Sequence, residues 1–333
     1  MCVMRTYKNS AFWPFLALAV LALSVFAARA QEAASDYPSQ TIRIVVGFTP
    51  GGAPDITARV IAQKINELWK RPVIVENRPG AGSEVAARYV AQSAPDGYTL
   101  LSITNAHAVA PAIDAHLPYD ASADFAAIGM TSMAPNWVLV APTLNIHSLS
   151  ELVAFAKAHP NQLNFGSAGV GSFMHFAAAM FNSETGIEAQ HVPYKGPPEA
   201  LTETVAGRVQ YVVSPIGAAL GLVRDGKLIP VAVTGNKPLA EFPDVPTVSG
   251  PAYPGFELWT WTGFLAPAHT PPAIIDKLNA AIAEILKQPD VQAQFQGISV
   301  QPMASTPAQF QQRIADAITE YTAAARKADI TVK

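Results

Sequence analysis

Short apolar blocks alternate with amphipathic stretches along the first third of this 333-residue chain. Residues 41–48 are rich in Ile and Val and predict a buried strand, whereas apolar side chains recur at helical spacing through residues 55–68. The same succession follows as a strand at 72–76, a helix at 84–93 and a strand at 98–104. Because strands that alternate with helices are typical of parallel sheets, the pattern predicts an α/β fold with a mainly parallel sheet.

The second half of the chain repeats the pattern and ends in two amphipathic helices. Its predicted strands lie at 137–141, 163–165, 190–192, 209–213 and 229–234, and its predicted helices at 149–159, 173–181, 199–206, 272–287 and 307–328. Since no low-complexity linker separates the halves, two lobes would have to exchange strands, and we place the crossings near residues 134–136 and 234–236. The predicted lobes are 31–136 with 236–333 (lobe I) and 137–235 (lobe II).

The first thirty residues differ from the rest of the chain. A basic start with Arg5 and Lys8 precedes an uncharged run of 18 residues, and Ala28 and Ala30 place small side chains two positions apart. This is the pattern of a secretory signal peptide, here residues 1–30, cleaved after Ala30. The alternative is an uncleaved membrane anchor, for which 18 residues are marginal. We therefore expect an exported protein.

Composition narrows the classes of function. Half of the residues are hydrophobic and 14% are charged, which suits a packed core and excludes disorder. Without residues 1–30 the chain keeps 19 basic and 25 acidic side chains, a formal net charge of −6, so it lacks the basic surface of a nucleic-acid-binding protein. Cys2 is the only cysteine and lies in the predicted signal peptide, which excludes disulfides and thiolate chemistry from the exported chain.

Three glycine-containing loops each follow a predicted strand and precede a predicted helix. The first loop is residues 48–55 (FTPGGAPD), the second loop is 166–172 (GSAGVGS), and the third loop is 193–198 (PYKGPP). In open α/β sheets ligands bind beyond the carboxyl ends of the strands, and helix N-termini offer free amides and a partial positive charge to an anion. Such loops also occur as plain connectors. Two of them in different predicted lobes favour a shared site for a small organic anion.

The sequence lacks the motifs of several other chemistries. A P-loop would need Lys after Gly171, where Ser172 stands, and a dinucleotide-binding loop would need glycine in place of Met174. The sequence contains no nucleophile elbow and no His-Glu-x-x-His motif, and its seven histidines show no helix-face metal spacing. We therefore expect a protein without enzyme activity, metal or cofactor.

Four polar side chains near these loops have two interpretations each. His175 could bond a ligand or serve as a packed structural histidine, and Tyr194 and Lys195 could reach the same cleft or be solvated. Asp55 lies in the first turn of a predicted helix, where an acid most often stabilises the helix terminus. Since Asp55 would oppose an anion there, we expect it to face away from the ligand and to support the first loop.

These loops resemble those of the tripartite tricarboxylate transporter substrate-binding family, also called the Bug receptors. The resemblance covers essentially the whole exported chain, in order: PGGAPD from Pro50, ENRPGAG from Glu76, PDGYTL from Pro95, GSAGVGS from Gly166, HVPYKG from His191, PDVPT from Pro243 and WTG from Trp261. Each motif alone is modest, but the ordered set is highly specific.

The resemblance implies a two-lobed periplasmic binding protein of type II (a Venus flytrap). It also implies that the first and second loops pinch one carboxylate of a ligand through backbone amides and bridging waters, without an arginine clamp. On this sequence the expected ligand-binding residues are Phe48, Thr49, Gly51, Gly52, Ala53, Asp55, Gly166, Ser167, Ala168, Gly169, Val170, His175, Tyr194 and Lys195. The implied partners are a small mono- or dicarboxylic acid and the permease subunits of a tripartite tricarboxylate transporter, and we expect the receptor itself to be a monomer.

Three departures from the family pattern leave the identity of the ligand open. The third loop continues with Pro197-Pro198 where the family usually has Ser-Gly, Ser83 stands where it has glycine, and Phe176 stands where it has leucine. An orphan or signalling receptor without a dedicated permease stays an alternative function. An exported hydrolase or transferase and a metal-binding receptor are further alternatives, but the motifs favour them less.

Overall fold

The computed structural model describes residues 36–330, which form a mixed α/β fold on one large sheet. The predicted signal peptide and its cleavage point lie outside these residues. The strands are β1 (Ile42–Val46), β2 (Val73–Asn77), β3 (Thr99–Thr104), β4 (Phe125–Val140), β5 (Leu163–Ser167), β6 (Ala189–Pro193), β7 (Tyr211–Pro215), β8 (Ile229–Val233), β9 (Trp259–Pro267) and β10 (Gln301–Pro302). The helices are α1 (Ala53–Trp69), α2 (Glu84–Ala91), α3 (Ala106–Ile113), α4 (Leu149–Ala158), α5 (Phe173–Thr185), α6 (Pro197–Val205), α7 (Ile216–Arg224), α8 (Pro272–Ile285), α9 (Pro289–Gly297) and α10 (Pro307–Lys327).

The sheet combines parallel ends with an antiparallel middle. Its strand order is β2-β1-β3-β9-β4-β7-β5-β6, with β8 and β10 also pairing with β4. β1 pairs in parallel with β2 and β3, and β5 pairs in parallel with β6 and β7. β9 and β4 run antiparallel to their neighbours. The prediction of an α/β fold is confirmed, but the sheet is mixed rather than mainly parallel, because alternating strands and helices report only the parallel units and not the long strands that join them.

The long strand β4 runs through both parts of the sheet. Its residues up to Pro135 pair with β9, and those from Asn136 onward pair with β7 and β8. At this change the Asn136 amide donates to the Thr234 hydroxyl at 2.8 Å, and the Thr234 amide donates to the Asn136 carbonyl at 2.9 Å. The Asn136 side chain also donates to the Leu258 carbonyl at 3.0 Å. Three segments of the chain therefore meet at one buried point.

Residues 239–258 pack against the strands that follow the change of pairing in β4. Val248 and Leu258 share a hydrophobic core with Val138, and Phe242 packs on the core that contains Trp137. The segment therefore packs on the cores formed by residues 137–233. Apolar spacing alone could not show this, because the segment contains no long helix or strand that would reveal its packing partner.

Helices α1 and α5 carry the first and second loops at their N-termini. α1 buries Ile61 and Ile65 against the core of β1, and α5 buries Phe181 in the core of β5. Phe176 of α5 also contacts Tyr321 of α10, with ring centroids 5.6 Å apart. Since each helix begins shortly after its strand ends, both N-termini lie at the carboxyl ends of parallel strands. Across residues 36–330, every helix is too short or too polar to cross a membrane.

Candidate functional site

The first loop is closed around the buried carboxylate of Asp55, which is 2% exposed. The Gly51 amide donates to Asp55 Oδ2 at 3.0 Å, the Asn77 side chain donates to Oδ1 at 2.8 Å, and the Arg59 guanidinium lies 2.9 Å from Oδ1. Asn77 also donates to the Phe48 carbonyl at 3.0 Å. Asp55 therefore makes the loop-supporting bonds expected from the sequence, with Asn77 as a partner that sequence reasoning missed.

Charge holds this network together at neutral pH. Burial raises the pKa of the Asp55 carboxyl, but the hydrogen bonds from Arg59, the Gly51 amide and Asn77 outweigh burial and hold the pKa below its usual range. The carboxylate is therefore ionised, and Arg59 balances its charge. An acid in the first turn of α1 is further stabilised by the positive end of the helix dipole.

The first loop turns at a glycine, and two of its amides are available. Gly51 has φ +92°, a conformation that favours glycine. Gly52 precedes α1, and its carbonyl accepts the amides of Asp55 and Ile56, each at 3.0 Å. In the described part of the chain, the amides of Gly52 and Ala53 donate to no protein acceptor. These N–H groups can bond an anion at the start of α1.

Neutral groups close the second loop. Ser167 is fully buried, and its hydroxyl lies 2.6 Å from His191 Nε2 and accepts the Gly169 amide at 3.1 Å. The Gly171 amide donates to His175 Nδ1 at 3.3 Å. The side chains of Ser167 and His175, both expected to contact the ligand, are thus bonded to the loop itself.

His175 and His191 stack with ring centroids 3.6 Å apart and an interplanar angle of 11°. Burial lowers the pKa of each imidazole to about 4, and the neighbouring His191 adds to the effect on His175. Both rings are therefore neutral at neutral pH. Sequence reasoning missed the bond of His191 to Ser167, because 24 residues separate the two and only the pairing of β5 with β6 brings them together.

Ser167 and His191 are a hydroxyl–imidazole pair of the kind that hydrolases use, although the sequence indicated none. The Ser167 side chain, however, is 0% exposed, and its hydroxyl also donates to the Gly169 carbonyl at 3.0 Å. No carboxylate among residues 36–330 accepts a hydrogen bond from His191 to orient its ring. The Ser167 hydroxyl is therefore bonded to His191 and to the backbone of the second loop, and it supports that loop.

The remaining residues of the second loop have separate roles. The amides of Ala168 and Val170 donate to no acceptor in residues 36–330, and the Val170 side chain is 52% exposed. A Cβ on Gly166 would lie 3.1 Å from the Val212 side chain. Glycine at position 166 is therefore explained by packing within the sheet, whereas Ala168 and Val170 offer donors.

The third loop lies beside the second. The Tyr194 amide donates to the Ser167 carbonyl at 3.0 Å, and a Cβ on Gly169 would lie 3.2 Å from the Tyr194 carbonyl oxygen. Lys195 is exposed, and its amide donates to the Glu199 carboxylate at 3.0 Å. No hydrogen bond within the described residues joins the first loop to the second or third.

A surface groove of about 570 Å³ lies away from all three loops, between α7 and the α8–α9 region, and is lined among others by Leu220, Phe242, Leu286 and Val300. No loop residue contributes to its walls. Nor do residues 36–330 contain a cluster of three or more His, Cys, Asp or Glu side chains that could hold a metal ion. The available backbone donors, rather than the groove, therefore define the candidate site.

Comparison with known proteins places this chain among its relatives. The family model described as "Tripartite tricarboxylate transporter family receptor" matches residues 57–329. Protein BugT of Bordetella pertussis is 32% identical over 320 residues, which are 95% of this chain and 98% of BugT. The chain belongs to the tripartite tricarboxylate transporter receptor family.

Solved structures of similar proteins share the fold of this receptor. Rpa4515 of R. palustris, solved with adipate, matches with a TM-score of 0.79 and 30% identity over 89% of this chain and 99% of that chain. MatC from Rhodopseudomonas palustris, with bound malate, matches with a TM-score of 0.75 and 30% identity over 86% of this chain and 99% of that chain. The expected periplasmic binding protein fold is confirmed, and this receptor is a solute-binding protein of the periplasmic class.

Proposed function

We propose that this receptor captures a small mono- or dicarboxylic acid between two lobes, leaves it chemically unchanged and delivers it to the permease subunits of a tripartite tricarboxylate transporter. The available amides carry the proposal: Gly52 and Ala53 before α1, and Ala168 and Val170 before α5, have no protein acceptor within residues 36–330. Adipate in Rpa4515 and malate in MatC support a carboxylate as the class of ligand.

Local donors have to attract the anion, because the overall charge does not. The exported chain would carry a formal net charge of −6, and Arg59 is already paired with Asp55. A hydrogen bond to a charged group contributes about 1.5–3 kcal/mol. A few amides on two helix N-termini can therefore hold one carboxylate without an arginine.

We propose lobe I as residues 31–136 with 259–333 and lobe II as residues 137–258, which moves the boundary expected from the sequence. The change of pairing along β4 and the buried bonds among Asn136, Thr234 and Leu258 support this division. If the two loops share a ligand across lobes, saturating ligand should reduce the radius of gyration in solution scattering. An unchanged radius would instead indicate a rigid, pre-closed site.

Calorimetry with adipate, malate and their diamides tests the ligand class. The amides of the loops bond an anion better than a neutral group, so the diacids should bind and the diamides should bind far less well. Mass spectrometry should recover each bound acid unchanged. Equal affinity for acids and diamides would mean that these loops do not recognise a carboxylate, and recovery of a converted product would contradict the receptor role.

Export is proposed from the sequence of residues 1–30. A secretory signal cleaved after Ala30 leaves a chain that begins with Gln31. N-terminal sequencing of periplasmic material should therefore start at Gln31. Recovery of the chain from membranes with Met1 intact would favour the anchor instead.

A further inference from the structure

Successive amides along the second loop have different partners. The Gly169 amide donates to Ser167 Oγ at 3.1 Å, and the Gly171 amide donates to His175 Nδ1 at 3.3 Å. The amides of Ala168 and Val170, which alternate with them, donate to no protein acceptor in the described part of the chain. The loop therefore has one internally bonded set of N–H groups and one available set.

Both internal acceptors depend on the stacked histidines. His175 Nδ1 can accept the Gly171 amide only while that nitrogen carries no proton, and His191 Nε2 holds the Ser167 hydroxyl at 2.6 Å. The His175 and His191 rings are 3.6 Å apart, and Phe165 stacks on His191 at 4.9 Å and 20°. A displacement of one imidazole therefore displaces the other and the acceptor that it fixes.

We propose that the stacked pair His175–His191 is a positioning device that selects the amides of Ala168 and Val170 as the donors of the second loop to the ligand's carboxylate. The inference rests on the proposed function, since it names donors of the same site. The two histidines are positioning residues: they act through the internal bonds of the loop rather than by touching the ligand.

Neutral rings suit this role beside an anion. Burial lowers the pKa of both imidazoles to about 4, so neither carries charge at neutral pH. No carboxylate in residues 36–330 is hydrogen-bonded to either ring. The position of the loop therefore follows from ring stacking and two hydrogen bonds, which substitution can remove separately.

Calorimetry on two variants of His175 separates positioning from packing. His175→Phe keeps a ring in the stack but removes the acceptor of the Gly171 amide, whereas His175→Asn offers a carbonyl oxygen near the position of Nδ1. With adipate and malate as probes, His175→Phe should weaken binding about three- to tenfold, as expected for one lost hydrogen bond, and His175→Asn should recover most of the loss.

His107→Phe is the matched control for a buried histidine. His107 is 3% exposed and bonds the Ala121 carbonyl at 2.9 Å, but its ring packs against Tyr119 and Phe125 rather than against the second loop. Its replacement should lower the melting temperature and leave the affinity for the probes unchanged. If His175→Phe behaves like His107→Phe, with a lower melting temperature and full affinity, the positioning role is overturned.

Hydrogen exchange in the free protein gives a readout that needs no ligand. His175→Phe should speed exchange of the Gly171 amide, and His191→Phe should speed exchange of the Gly169 amide, while His107→Phe leaves both unchanged. Unaltered exchange at these amides would overturn the inference. If the wild type binds neither adipate nor malate, the proposed function loses its support, but the exchange result still decides whether the histidines position the loop.

Discussion

The first and second loops offer the same kind of donor but are held in opposite ways. An ionised Asp55, bonded by Arg59 and Asn77, closes the first loop, whereas neutral Ser167 and His175 close the second. We call the side chains that bond each loop its support. Each support accepts hydrogen bonds from some backbone amides of the loop and leaves other amides available. The comparison shows that a loop at a helix N-terminus can be held by charged or by neutral side chains, provided that they bond the loop's own backbone.

The two loops also place different charge beside the proposed ligand. Asp55 offsets the positive end of the α1 dipole, and Arg59 in turn offsets Asp55. The first turn of α5 contains no acidic residue, so its dipole is not offset in this way. We infer that the second loop contributes more of the attraction for an anion and that the first loop contributes more of the rigidity.

Removal of the charged support of the first loop should have the largest effect on the free energy of unfolding. Asp55→Asn leaves Arg59 without its carboxylate and should lower the free energy of unfolding by about 2–3 kcal/mol, somewhat less than for a fully buried ion pair, because the Arg59 side chain is 47% exposed. Urea denaturation measures this loss. The matched control is Glu199→Gln, since Glu199 accepts an amide four residues earlier, as Asp55 does, but is exposed. The control should change by less than about 0.5 kcal/mol, and equal losses would contradict the comparison.

Substitutions at two adjacent glycines should distinguish an effect on backbone conformation from an effect on ligand binding. Gly51 has φ +92°, so Gly51→Ala should cost about 1–2 kcal/mol. Gly52 has φ −80°, and a Cβ there would lie 3.7 Å from the Pro54 side chain, an ordinary contact. Gly52→Ala should therefore keep the free energy of unfolding within about 0.5 kcal/mol.

The same Gly52→Ala variant should bind adipate or malate about tenfold more weakly, because a methyl group would stand where the ligand approaches the amides. Thermal denaturation and calorimetry measure the two effects. A stable Gly52→Ala variant with full affinity would show that the ligand does not approach the first loop.

The sequence was sufficient to predict the strand–helix units around both loops, because apolar blocks there are continuous. It missed α3, α7, α9, β9 and the part of β4 before residue 137, and of these α7 and β9 contain Gly217 and Gly263. A Cβ at Gly217 would lie 2.9 Å from the Ile298 carbonyl oxygen, and one at Gly263 would lie 2.2 Å from the Phe310 ring. Tertiary packing requires these glycines, whereas in the sequence alone a glycine indicates a break.

The site shows the same limit. Loop composition led us to expect backbone donors and a supporting role for Asp55, but it could not identify the side chains that bond Asp55 and Ser167. Asn77 lies 22 residues from Asp55 and His191 lies 24 residues from Ser167. Parallel pairing of β1 with β2 and of β5 with β6 brings each pair together. Spacing along the sequence does not predict such contacts.

A smaller change in the free energy of unfolding should appear only on acidification. It should distinguish the neutral support of the second loop from the charged support of the first. The pKa of His175 is about 4 in the folded protein, below its usual 6.5, so the unfolded chain binds more protons between these values. The free energy of unfolding should therefore fall as the pH drops from about 6.5 to about 4. The pKa of Asp55 is lowered from 3.8, so its contribution is kept in this range and is lost only at still lower pH.

Urea denaturation of the wild type and His175→Asn at pH 7 and pH 5 measures this difference. His107 also has a pKa of about 4 but lies apart from the substitution, so the difference between the two slopes reports His175 together with its stacked neighbour His191. The variant should lose less stability on acidification. Identical losses would show that His175 is not held neutral by the fold.

The smallest effect concerns the base of the first loop, where packing and backbone strain oppose each other. Ser83 is 6% exposed and has φ +87°, a conformation that costs a non-glycine residue about 1 kcal/mol. A Cβ on Gly47 would lie 1.8 Å from Ser83 Oγ, so the two residues are in close contact. Ser83→Gly removes the strain and one small side chain, and we expect the free energy of unfolding to rise by about 0.5 kcal/mol. Thermal denaturation measures the change, with Asn145→Gly as control because asparagine tolerates its φ of +52°. A less stable Ser83→Gly variant would mean that the contact with Gly47 outweighs the strain, and that the first loop depends on neutral packing as well as on charge.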